Sequence, residues 1–222
     1  MVAKIVQNKG GKSCPMCWAL LLQGYMLCKG GIAGILLAKQ GGFMRITTKQ
    51  ITTTAVLLAI CIVSQFFKNT SVYITGPIIN ACLIIAALGA GMACGIILSV
   101  ITPVTSFLIT GSPIMSAIPA IIPCVMIGNM ILVVAVSLLA KNIKGNAGLI
   151  AGMAAGSIAK ALFMGIVIAL ILIPSLLPEA MVPKMAVFQT TFSVTQLITA
   201  AIGSVFAFII WIPLKKVIAG QN

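Results

Sequence analysis

The chain contains no histidine and no aspartate, and its one acidic residue is Glu179. These absences remove the paired groups of general acid–base catalysis and most carboxylate or imidazole metal ligands. A serine hydrolase or membrane protease would lack its partner groups. A proton- or sodium-driven carrier would lack the intramembrane acids such proteins use. The chain is therefore expected to be no enzyme and to carry neither metal nor cofactor. Tyrosine and tryptophan number two each, which supplies an aromatic cage for a flat ring poorly and leaves Phe107 or Phe163 to stand in. A complete nucleotide loop is missing too. Gly10-Gly11-Lys12-Ser13 has the form of a P-loop tail, but Val6 stands where the first glycine is needed. Any uphill transport must be powered by another protein.

Charge is scarce as well. Charged residues make up 7% of the 222, against about 25% in soluble domains. Apolar residues make up 61%, and the mean hydropathy is +1.23. Apolar runs of roughly 20 residues recur, each long enough to cross a hydrocarbon core of ~30 Å. The solvent of this chain is a bilayer. Its fourteen Lys and Arg fall mostly in the gaps between runs, with no basic face and little aromatic interleaving. That placement argues against a nucleic-acid partner and for a topological role.

Seven cysteines do not form a disulfide framework. Cys61, Cys82, Cys94 and Cys124 lie in apolar runs and read as small hydrophobes. Cys14-Pro-Met-Cys17 has the spacing of half a zinc or redox site, but it lacks a second such pair and any histidine. It reads as chance spacing.

Residues 1–43 differ in character from the rest of the chain. They are rich in Lys and Gly, with apolar patches too short to span. Gly41-Gly42-Phe43-Met44 can be encoded by a ribosome-binding sequence, a spacer and a start codon. The expectation is that translation begins at Met44, which the intact mass of the native protein would test. Residues 44–222 then form one all-α membrane domain, a compact bundle of six transmembrane helices.

The expected helices run from about Ile51 to Phe67, Gly76 to Ala90, the Gly89–Gly91 turn to Thr110, Ile114 to Ala140, Ala147 to Ile173 and Ala186 to Leu214. Thr75-Gly76-Pro77 is expected to open the second, since proline suits a first helical turn. Pro119 and Pro123 are expected to bend the fourth, and Pro174 to Pro183 to form a loop. Arg45, Lys49, Lys141, Lys144, Lys215 and Lys216 gather on one side, and Lys68, Lys184 and Glu179 on the other. The excess of cations places both termini in the cytoplasm.

Polar groups within the runs are candidate sites, because lipid penalises them. Lys160 stands about thirteen residues from either expected end of the fifth helix, too deep to snorkel easily. A centred lysine costs roughly +2.5 to +3.5 kcal/mol on insertion scales. With no intramembrane acid, its partner must be carbonyls, amides or an anionic ligand. Asn80, Asn129 and Gln196 put amides on three other helices, and each alone would serve as an interhelical hydrogen bond. Together with Lys160 they suggest a shared polar cavity, which Tyr73 and Thr75 in the first outer loop would close. The cavity would take a carboxylate- or phosphate-bearing ligand. Ala55/Ala59, Ala86/Ala90, Ala151/Ala155 and Ala155/Ala159 are small pairs four apart, a spacing that lets helices approach.

The chain resembles the substrate-binding S components of energy-coupling factor (ECF) transporters, over about Ile46 to Lys216. The carriers are Ile51-Thr-Thr-Thr-Ala55-Val-Leu-Leu-Ala59, Ile74-Thr-Gly-Pro-Ile-Ile-Asn80-Ala, and Ile122-Pro-Cys-Val-Met-Ile-Gly128-Asn129. Ser157-Ile-Ala-Lys160 and Ser193-Val-Thr-Gln196-Leu-Ile-Thr-Ala-Ala-Ile-Gly203 complete them. The resemblance implies high-affinity binding of a vitamin or related micronutrient near the outer face of a bacterial or archaeal plasma membrane. It implies a membrane coupling subunit and two ABC-type ATPases as partners, with Ala55 and Ala59 forming the docking surface. It also implies toppling of the subunit in the lipid, which a charge-poor exterior permits. Residues 1–43 depart from that family's pattern. A self-contained facilitator or channel is the main alternative and would need a polar path through the whole bundle. A scaffold without a ligand, or a membrane enzyme, are the remaining ones.

Overall fold

The structure is a computed structural model, and it describes residues 47–67, 71–143 and 145–219. The expectations for residues 1–43, including the start at Met44 and Cys14-Pro-Met-Cys17, lie outside the described residues, as do Arg45, Lys68 and Lys144. Every regular element among the described residues is helical.

Helix α1 (Thr48–Gln65) starts where the Thr47 N–H donates to Gln50 Oε1 at 2.9 Å, closing a free donor of the first turn. Thr52, Thr53 and Thr54 then donate their hydroxyls to the carbonyls four residues back. That back-bonding lets a polar run stay helical. One stripe of α1, Leu57, Cys61, Ser64 and Gln65, is buried.

Helix α2 (Val72–Ile85) begins four residues before the expected start, so Pro77 lies inside it rather than in its first turn. A proline there costs one backbone hydrogen bond, which packed neighbours in a bundle tolerate. The packed neighbour is the last helix. A short π-helical stretch, Ala86–Ala90, extends α2, and Gly91 turns the chain at φ 99°. Helix α3 (Met92–Thr110) ends at Gly111, φ 55°, whose N–H donates to the Phe107 carbonyl.

The expected fourth helix is two. Pro113 opens α4 (Pro113–Ala117), and the chain breaks before α5 (Ile121–Asn142). The break has a local cause: Ile118 precedes Pro119 and is driven out of the helical region, to φ −127° and ψ 82°. Pro123 falls in the first turn of α5, where no donor is missed. Helix α6 (Asn146–Met164) continues through a π-helical stretch, Gly165–Leu172, and a last α turn, Ile173–Leu176. Pro174, expected in a loop, belongs to that turn. A 3-10 segment, Glu179–Lys184, leads to α7 (Met185–Phe192) and α8 (Val194–Ala219). The expected sixth helix is thus also split. Thr190, Thr191 and Ser193 each donate a hydroxyl four residues back, and Ser193 itself leaves the helical region at ψ −86°.

Five helical stretches among the described residues are long and apolar enough to cross a membrane: Val72–Ala90, Met92–Thr110, Ile121–Asn142, Asn146–Leu176 and Glu179–Lys215. The expected six include α1, which falls outside this set. Its 18 residues hold Lys49, Gln50, Gln65 and four threonines.

Small residues set how closely the helices pass. Gly152 and Gly156 press α6 on α5: a Cβ at Gly152 would lie 3.1 Å from Val136 Cα, and one at Gly156 would lie 3.0 Å from Leu132 Cδ1. On α8, a Cβ at Gly203 would come within 2.7 Å of both the Pro77 carbonyl oxygen and Asn80 Cβ. The obstacle there includes backbone, so it cannot swing aside. Replacing Gly203 by Val is expected to force α8 off α2, lower stability by about 1–3 kcal/mol and move Asn80. Thermal unfolding in detergent together with ligand binding would check this.

Buried side chains form two apolar clusters. Leu83, Ile84, Leu98, Leu132, Val133 and Val136 centre one. Ile114, Ile118, Ile121, Met164, Ile168 and Phe192 centre the other. Along α5 and α6, Asn129 and Lys160 lie between the two clusters, and both are buried.

Candidate ligand-binding site

Lys160 is 3% exposed. Its position on α6, in register with Gly156 on the face packed against α5, turns its side chain inward. Its Nζ donates to Asn80 Oδ1 of α2 at 2.6 Å and to Asn129 Oδ1 of α5 at 2.7 Å. Both bonds are short, as hydrogen bonds from a charged donor are. An ammonium only donates, so both amide oxygens must face it and both amide NH2 groups are turned elsewhere. One of its three N–H groups remains after these two bonds. Nearby, the Ser157 and Ser204 hydroxyls lie 3.0 Å apart and tie α6 to α8.

These three residues lie in the wall of a cavity of about 260 Å³. Helix α2 contributes Val72, Thr75, Gly76, Ile79 and Asn80. This is the i, i+3, i+4, i+7, i+8 face of one helix. Thr102, Pro103 and Ser106 of α3, Ser112, Ile114 and Met115 around α4, and Val125 and Asn129 of α5 extend it. Val187, Phe188, Thr191 and Phe192 of α7 and Gln196 of α8 complete the wall with Lys160.

The candidates from sequence divide cleanly. Asn80, Asn129, Lys160, Thr75 and Gln196 all line the cavity. Tyr73 does not: it is 56% exposed on the outer face of α2. Thr75 is in the wall, but its hydroxyl donates to the Ser64 carbonyl of α1 at 3.1 Å. Ala55 and Ala59 are exposed on α1, on the side opposite its buried stripe.

The aromatic residues lining the cavity are Phe188 and Phe192, in place of Phe107 and Phe163. Phe107 and Phe163 pack against the second apolar cluster instead. Thr102, Ser106, Ser112 and Thr191 are lining residues that the sequence alone does not single out. Hydroxyls are common in membrane helices and carry little signal, because they can bond their own backbone. Phe188-Gln-Thr-Thr-Phe192 does carry one, since its i, i+3, i+4 spacing puts Phe188, Thr191 and Phe192 on one face. Thr102 is 1% exposed and its Oγ1 has no hydrogen-bond partner among the described residues, although Gln65 Nε2 donates to its carbonyl at 3.1 Å.

A buried lysine shared by three helices in the wall of a cavity is suited to holding a small polar molecule. The family model for the ECF transporter substrate-specific component matches residues 49–215. The chain belongs to that family. No curated protein and no solved structure matches it. As an ECF substrate-specific component it is a multi-pass membrane protein and the part of a transporter that selects the substrate. S components work with a coupling subunit and ATPases, which accords with the missing P-loop. The matched span holds Lys160, Asn80 and Asn129, and also all of α1 but its first residue, with Ala55 and Ala59.

Proposed function

We propose that the chain is the high-affinity binding subunit of an importer for a vitamin or related micronutrient, in the plasma membrane of a bacterium or archaeon. A coupling subunit and two ABC-type ATPases supply the energy. The observation that carries this reading is Lys160, buried against two amide oxygens in a cavity wall. Burying a cation without an acid costs several kcal/mol, and an anionic ligand, carboxylate- or phosphate-bearing, offsets that cost.

We read α1 as a sixth membrane pass, with both termini in the cytoplasm. Lys49 at the start of α1, Lys141 at the end of α5 and Lys215 near the end of α8 support this orientation, because alternating passes bring these helix ends to one side. The cavity lies toward the other side, among the start of α2, the end of α3, α4 and α7. That side is then the outer one. Ala55 and Ala59 serve as the docking surface for the coupling subunit.

The cavity counts against a facilitator. Beyond the Lys160 layer the bundle is closed by Leu83, Ile84, Leu98, Leu132 and Val133, each fully buried. A channel needs a polar path there. Affinity purification after co-expression with candidate partners tests the proposal. Recovery of two ATPases and a membrane coupling subunit is expected. Recovery of the chain alone, with solute flux through it in liposomes, would overturn it in favour of the facilitator.

A further inference from the structure

We infer that the ligand is a small organic monoanion, a monocarboxylate with a largely apolar body, and that Lys160, Asn80 and Asn129 select its single charge. This rests on reading the cavity as the substrate site. Among the described residues Lys160 is the one charged side chain in the wall, and the chain's only acid, Glu179, is exposed and outside it. These residues therefore give the site at most a single positive charge, within a low dielectric. One negative charge cancels it; a dianion would leave one unpaired, at a cost of several kcal/mol. Among the described residues of the wall there is no arginine, the residue suited to gripping phosphate with a planar fork.

The donors fit the same chemistry. Because their oxygens face Nζ, Asn80 and Asn129 turn NH2 groups toward other acceptors, and neither has one among the described residues. With the remaining ammonium N–H, they supply a cluster of donors and no negative acceptor, which matches the two oxygens of a carboxylate. The rest of the wall is mainly apolar, with Ile79, Pro103, Ile114, Met115, Phe188 and Phe192. The volume of about 260 Å³ lies just below the ~300–1,000 Å³ of common small-molecule sites. That is too tight for a dinucleotide.

The test is isosteric. Wild type and Asn129→Asp, each in lipid nanodiscs, are titrated with biotin, lipoate, pantothenate and nicotinate and with the methyl ester of each. Pyridoxal phosphate and flavin mononucleotide serve as dianions and thiamine as a cation. For wild type, at least one acid is expected to bind, its ester at least tenfold more weakly, and the dianions and thiamine not measurably. The new carboxylate of Asn129→Asp takes the counter-ion's place, so the same acid should lose at least tenfold, and more than its uncharged ester, which loses only the amide donor. The variant's melting temperature without ligand should not fall; if it does not fold, Asn80→Asp replaces it.

An ester, a dianion or the cation binding as tightly as the acid would overturn the inference, as would an acid affinity unchanged in the variant. Binding of none of the acids also overturns it. If the chain is nevertheless recovered with its coupling subunit and ATPases, the importer reading stands and only the ligand class falls.

Discussion

Replacing Lys160 by Met is expected to raise the ligand's dissociation constant well over tenfold, a loss of more than about 1.4 kcal/mol, while the protein stays folded. Methionine is unbranched and fills much of the space of the lysine stem. Two effects on stability oppose each other. Asn80 and Asn129 lose the donor to their oxygens, at about 1–3 kcal/mol for each group left unpaired. Against that, the bundle no longer buries a cation, whose effective cost is several kcal/mol. The amides can also turn toward each other, NH2 to oxygen. The proposed anion has no such compensation, because the lysine that would counter its charge is gone. Isothermal titration in detergent or nanodiscs reads the affinity, and thermal unfolding without ligand reads the fold. An unchanged affinity would remove Lys160 from the site and with it the main support for a ligand-binding role.

Lys160 was legible in the sequence because a membrane run of this length has no cheap place for a charge, and this chain has no buried acid to explain it away. The helical runs were legible for a similar reason: bilayer thickness sets a length that composition alone reveals. The interruptions were not. A hydropathy pattern averages over about 19 residues, so the breaks at Ile118–Ala120 and Ser193 leave it nearly unchanged. Yet those breaks matter to the site. They turn α4 and α7 into separate pieces that bring Ile114, Met115, Phe188 and Phe192 to the cavity. The same limit accounts for Tyr73. As a loop residue it was free to close the cavity. With α2 starting at Val72 it acquires a helical phase, and the face that carries Val72, Thr75, Gly76, Ile79 and Asn80 leaves it outside. The glycines of α6 had a visible period of four, but the alanines interleaved with them share it, and only the packing tells which stripe meets α5.

Replacing Ala59 by Trp is expected to abolish ligand import while leaving ligand affinity within about twofold. The separation follows from the two sides of α1. Leu57, Cys61, Ser64 and Gln65 face the bundle, and through Ser64 and Gln65 the helix meets the cavity walls at Thr75 and Thr102. Ala55 and Ala59 lie on the exposed side, among Ile51, Val56 and Val63, each at least 55% exposed. With α1 as the proposed sixth pass, a tryptophan there meets lipid and strains nothing inside, so the cavity keeps its shape. A partner helix that packs on a small residue is displaced by the indole, because close approach in a membrane depends on small side chains at the contact. Uptake of labelled ligand into cells or proteoliposomes containing the whole transporter measures the first effect, and equilibrium binding to the isolated subunit measures the second. Ala55→Trp, one turn away, should behave alike. Loss of binding together with import would mean that this face supports the fold of the subunit and that its partner docks elsewhere. Retained import with tryptophan at both positions would take the docking surface off α1 altogether.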